Sequence, residues 1–142
     1  MEFRRILVPV AGTEADEEAM ELAGRLLSKK EKGKVCAFHV IPIGRALPLD
    51  IEIEPTIKEA EELLAHIEDV AAKRGCKIET DLLQAREVAP AIVNEALARE
   101  SDLIIIGAAY KERFGKFSLG DIVPYVLENA PCRVIIYHRP AV

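Results

Sequence analysis

The chain has 142 residues, half of them hydrophobic and 30% charged, and 19 basic against 24 acidic side chains leave a formal net charge of −5. A chain of this length and balance reads as one globular domain, 1–142, which can remove about 68–70% of its unfolded surface from water with no disulfide or metal. An acidic chain suits nucleic-acid phosphates poorly, no apolar run reaches the roughly 20 residues of a membrane span, and Cys36, Cys76 and Cys132 or His39, His66 and His138 lie too far apart for a zinc-type motif.

Met1 to Arg5 lead straight into an apolar run without the pattern of a signal peptide, so a cytoplasmic location is expected. Ile6-Leu7-Val8-Pro9-Val10 reads as a strand apolar on both faces. Thr13 and Asp16 have capping-box spacing ahead of a helix carrying Ala15, Ala19, Leu22, Ala23, Leu26 and Leu27. Gly33 is expected to end that helix in a left-handed conformation. Val35 to Ile41 form the second strand. A long connection follows, in which Leu47, Leu49, Ile51 and Ile53 alternate with Pro48, Asp50, Glu52 and Glu54. This predicts a two-faced extended strip, either laid over the domain's own apolar surface or serving as a docking strand.

The second helix is predicted from about Pro55 to Lys73, with Gly75 ending it. Lys77 to Leu83 alternate strictly, as an edge strand with one wet face would. Pro90 suits the first turn of a third helix buried through Ala89, Ile92, Val93, Ala96 and Leu97. Leu103 to Ile106 form a fully apolar fourth strand. Ile122, Val123, Val126 and Leu127 mark the last helix, and Val134 to Tyr137 the last strand.

This alternation predicts an open parallel α/β sheet with helices on both faces. The most apolar strands, the first and fourth, form the expected central pair. Ligands on such sheets sit at the carboxyl ends of the strands where their order reverses. That places a cleft between Pro9–Thr13 and Gly107–Asp121.

Ser101-Asp102-Leu103-Ile104-Ile105-Ile106-Gly107 and Asn129-Ala130-Pro131-Cys132-Arg133-Val134-Ile135-Ile136, with Ile6 to Val10 and Phe38 to Ile41, resemble the universal stress protein family over nearly the whole chain. The resemblance implies a five-stranded parallel sheet ordered 3-2-1-4-5, of the adenine-nucleotide alpha-hydrolase-like kind, and a homodimer. The ATP-binding branch of that family carries G-x2-G-x9-G-[ST] after the fourth strand and an acid after the first. Here Gly107 and Gly120 are kept, but Tyr110 replaces the second glycine, Asp121 the hydroxyl residue, and Ala11 the acid. The resemblance places the cleft at Pro9, Ala11, Val40, Gly107, Gly120 and Asp121. Asp121 reads either as a plain helix N-cap or as a built-in anion repelling phosphate. Lys111, Arg113 and Lys116 read as a solvated loop or as phosphate contacts.

No nucleophile, base or metal constellation marks an enzyme. Ala11-Gly12 and Gln84-Ala85 stand where a phosphorelay receiver has its acids. The expected function is a cytoplasmic regulatory or binding module of the branch without ATP, with no cofactor. It would dimerise through Val134–Tyr137 and offer a protein partner the strip from Leu47 to Ile53. The alternatives are an ATP- or AMP-binding switch with Mg and slow hydrolysis, and a soluble accessory of a membrane transporter. His39 reads as a satisfied strand histidine, and Gly24 as a close approach of helix to sheet.

Overall fold

A computed structural model describes residues 2–109, 111–113, 116–118 and 120–139. Its central sheet holds β1 (Arg5–Pro9), β2 (Lys34–Pro42), β3 (Glu79–Ala85), β4 (Leu103–Ala109) and a last strand, Arg133–Arg139. Between β4 and that last strand, Lys111–Arg113 and Lys116–Ser118 pair antiparallel as a small ribbon, β5 and β6, so the last strand is β7. The sheet order is β3-β2-β1-β4-β7 and all four pairings are parallel. This is the 3-2-1-4-5 order, β7 being the fifth strand of the sheet.

The helices are α1 (Ala15–Leu26), α2 (Glu54–Lys73), α3 (Val88–Ala98) and α4 (Ile122–Asn129). Successive strand residues point to opposite faces, so an unbroken apolar run feeds two cores. Ile6, Val8, Val35, Ala37, Leu103 and Ile105 pack with Ala19 and Ala23 of α1 and Leu64 and Ile67 of α2. Leu7, Phe38, Ile104 and Ile106 pack with Ile92 and Ala96 of α3 and Val126 of α4. Ile6, Leu7 and Val8 are at most 2% exposed, which is what a central strand requires. The starts of β1 and β4 are tied by Asp102, whose carboxylate accepts the amides of Arg4 and Arg5 at 2.8 and 2.9 Å.

Several local expectations are corrected. Gly33 is not left-handed; a Cβ there would lie 2.6 Å from the Leu27 side chain, so the position answers to crowding. Gly75, at φ +75°, does end α2 in the left-handed region. Gly24 faces Cys76 Sγ at an ordinary 3.8 Å from where a Cβ would be, so no tight approach to the sheet explains it. β3 begins at Glu79 and reaches Ala85, two residues later than expected at each end. Leu97 and Leu127 are 64% and 54% exposed, while Ala91 takes a buried place on α3. The ribbon β5–β6 was not expected at all.

The strip after β2 is not extended. Turns closed by Leu47 N–H to Gly44 O and Ile51 N–H to Pro48 O fold it up. Ile51 packs beside the small cluster of Ile41, Ile43 and Ala60, while Leu47, Leu49 and Ile53 remain exposed. Burial pushes the Cys36 thiol up to about 11, so it is a packing group, not a nucleophile.

Candidate functional site

The chain leaves β1 toward one side of the sheet and returns through β4 on the other, so their carboxyl ends splay apart. A cavity of about 260 Å³ opens at that point. Phe38, Val40, Ile92, Ile106 and Val123 give it apolar walls, and Pro9, Ala11, Thr13, His39 and Gly107 contribute further lining. Among the described residues that line it, none is an aspartate, glutamate, lysine or arginine. The described lining is therefore mainly apolar, with Thr13 and His39 as its polar side chains.

The loop from β1 to α1 is pinned from within. Asp16, 1% exposed, accepts backbone N–H groups from Gly12 at 2.7 Å, Thr13 at 3.0 Å and Ala11 at 3.1 Å. Gly12 makes the tight turn at φ +88°. The predicted capping box is half present: Asp16 does reach back to Thr13, but Glu14 holds the N-cap position and no side chain caps the helix. The spacing of Thr13 and Asp16 carried the signal; the burial of Asp16 and its two extra amides did not show in it. Burial pushes the Asp16 carboxyl above its ordinary value, against the pull of the three amides and of nearby His39.

His39 is satisfied, as expected, with Nδ1 2.7 Å from the carbonyl oxygen of Val10. A carbonyl only accepts, so Nδ1 carries the hydrogen and donates.

Pro9, Ala11, Val40 and Gly107 of the sequence-derived set all line the cavity, whereas Gly120 and Asp121 are not among its lining residues. Gly107 has a second duty. A Cβ there would stand 2.7 Å from the carbonyl oxygen of Ala15, so the glycine lets the first turn of α1 lie on β4. Gly120 adopts φ +72° just ahead of α4. Asp121 occupies the N-cap position of α4, but its backbone is helical, at φ −92° and ψ −21°, and its side chain makes no capping bond. The N-cap hydrogen bond expected of it is thus not formed, because that bond needs an extended N-cap backbone. Tyr110 and the side chains of Lys111, Arg113 and Lys116 lie outside the described residues.

Comparison with known proteins gives the chain its family. The sequence profile of the universal stress protein family matches residues 2–138. The chain belongs to the universal stress protein family. A universal stress protein of Methanocaldococcus jannaschii is 28% identical over 144 residues, covering 97% of this chain and 84% of that one. The structure of a universal stress protein from Archaeoglobus fulgidus superposes with a TM-score of 0.77 at 24% identity, over 94% of this chain and 97% of the other. A universal stress protein of the same organism in complex with dAMP superposes with a TM-score of 0.72 at 25% identity, over 96% and 98%. As a universal stress protein, this chain has the expected parallel sheet with helices on both faces. No helix among the described residues is long and apolar enough to cross a membrane.

Proposed function

We propose that this universal stress protein is a non-catalytic regulatory or binding module of the branch that does not use ATP, acting in the cytoplasm as a homodimer and needing no cofactor. The observation that carries the reading is the absence of any charged side chain among the described residues lining the cleft. Among the described lining residues there is no cation for a phosphate and no carboxylate for a ribose, Ala11 standing where the ATP-binding branch has its acid. The exposed Asp121 carboxylate at the start of α4 adds a like charge where a phosphate would gain from the helix end. At about 4 Å such repulsion is of order 1–4 kcal/mol per charge pair, between the dielectrics of water and protein surface.

A titration with Mg-ATP tests this. The wild type should show no saturable binding below about 1 mM, near −4 kcal/mol. Ala11→Asp with Asp121→Ser should bind at least about tenfold tighter, equivalent to about 1.4 kcal/mol. Micromolar saturation of the wild type would overturn the reading. It would favour the second reading, a nucleotide-binding switch, which the dAMP complex of the Archaeoglobus fulgidus protein supports.

The dimer is proposed to form through β7. That strand lies at the sheet's edge, and Val134, Ile135, Ile136 and Tyr137 are only half-buried within one chain. An open edge with apolar side chains on both faces invites pairing, and a two-fold copy covers it with the same residues. Sedimentation should find a dimer, with Ile135→Lys shifting it toward monomer; a monodisperse wild-type monomer would refute the assignment. The exposed strip from Leu47 to Ile53 is proposed as the surface for a protein partner.

A further inference from the structure

Three of the seven exposed large hydrophobic side chains among the described residues, Leu47, Leu49 and Ile53, fall within seven positions of the strip after β2. The strip is held in shape from the end of β3. Arg86 Nη1 donates to the carbonyls of Gly44 and Leu47 at 2.6 and 2.8 Å. Gln84 Nε2 donates to those of Leu49 and Ile51, both at 2.8 Å. These apolar groups are therefore presented by a fixed backbone, which lowers the ordering cost of binding.

Charge is gathered beside them. Residues 47–62 contain Asp50, Glu52, Glu54, Glu59, Glu61 and Glu62 against the single Lys58, a net of −5. The rest of the chain holds eighteen acids and eighteen bases, so this segment accounts for the entire net charge. Elsewhere acids such as Glu21, Glu79, Asp81 and Glu95 sit in ion pairs, but among the described residues none of these six does. Glu52, Glu54 and Glu61 line one shallow groove with Pro55, Ile57 and Lys58 at the start of α2, three carboxylates to one ammonium.

We propose that this surface docks a basic amphipathic segment of a partner protein, its apolar side on Leu47, Leu49 and Ile53 and its lysines or arginines on Glu52, Glu54 and Glu61. The proposal rests on the reading of the strip as a partner surface and names the partner's chemistry. Lipid headgroups and nucleic acids are anionic and are repelled here, as is the same strip of a second copy. No group of carboxylates, histidines or cysteines among the described residues could hold a metal ion, so a cation is not the natural counter-charge. A cationic chain segment satisfies both features: its stems cover the leucines and its charges meet unpaired carboxylates.

The test is titration of the full chain with fluorescein-labelled amphipathic peptides of roughly five helical turns, built from Leu/Lys, Leu/Gln or Leu/Glu, and a scrambled Leu/Lys peptide. Leu/Lys should bind about tenfold or more tighter than Leu/Gln, with affinity falling as salt rises. Leu47→Ser/Leu49→Ser and Glu52→Gln/Glu61→Gln should each weaken it about tenfold, at unchanged Tm, since all four side chains are exposed. Amide shifts should concentrate at 47–61. If Leu/Gln or Leu/Glu binds the strip as tightly, the partner surface stands and the basic partner falls. If the scrambled peptide binds equally, if the variants leave affinity unchanged, or if nothing binds, both fall.

Discussion

Gly107→Ala should destabilise the protein by about 1–3 kcal/mol, a cost typical of forcing extra atoms into a packed core. The added Cβ would meet the backbone of Ala15, its carbonyl oxygen at 2.7 Å and carbonyl carbon at 2.8 Å, and not the tip of a flexible side chain. A backbone atom at the start of a helix can retreat only by moving the helix, and α1 is fixed to the sheet through Ala19 and Ala23, both fully buried. The melting temperature should fall by about 2–4 °C per kcal/mol, so by roughly 2–12 °C. Gly44→Ala is the control. No atom lies within 4 Å of its would-be Cβ and its φ is not positive, so it should be neutral or stabilise by about 0.4–1 kcal/mol through the unfolded chain. Equal melting temperatures for Gly107→Ala and wild type would mean that α1 does not rest on β4 in solution. Loosened α1 would also widen the cleft, since Gly107 lines it.

Asp16→Ala should cost about 2–4 kcal/mol at pH 7. Hydrogen bonds to an ionised acceptor contribute about 1.5–3 kcal/mol each, and the three amides share one carboxylate, so the losses are less than additive. The variant leaves Ala11, Gly12 and Thr13 without their acceptor and opens the turn that Gly12 makes at φ +88°. Urea unfolding measures the loss, and proton exchange at those three amides should accelerate well beyond the average for the chain. Asp16→Asn separates charge from shape. Burial raises the folded-state pKa of Asp16 above 3.8, so its protonated form is relatively favoured in the folded chain. That contribution is complete below the unfolded value and fades as pH rises through the folded one. Asn has no such titration, so the stability gap between wild type and Asp16→Asn should narrow from pH 3 toward neutrality. A gap that widens instead would show that the amides outweigh burial.

These two positions illustrate what the amino-acid order reveals and what it hides. Continuous apolar runs at Ile6–Val8 and Leu103–Ile106 mark strands covered on both faces, and those strands are central. Alternation from Lys77 onward marks an edge, and β3 is one. A cavity where the strand order reverses follows from topology, and Pro9, Ala11, Val40 and Gly107, which the resemblance pointed to, line it. Packing distances are not a property of spacing. Gly33 looked like a stop signal and is a crowding response to Leu27. Leu97 and Leu127 have helical periodicity, yet short α3 and α4 bury a narrower stripe than their apolar content suggests. Asp16 resembled an ordinary capping acid because burial arises from the sheet beneath it. The strip after β2 alternated like a strand but lacked a partner strand. Arg86 and Gln84 took its carbonyls as a folded loop, through long-range bonds that local pattern does not encode.

The gathering of all net charge into residues 47–62 has a colloidal consequence. Apart from that stretch, each molecule is an electrically neutral particle with an apolar strand at its margin. Mutual repulsion in dilute solution thus originates at a single pole, and like poles keep copies from approaching end to end while leaving the opposite margin free to meet. Neutralising that pole, by acid, by salt or by a bound cationic chain, would remove the protein's main barrier to self-association.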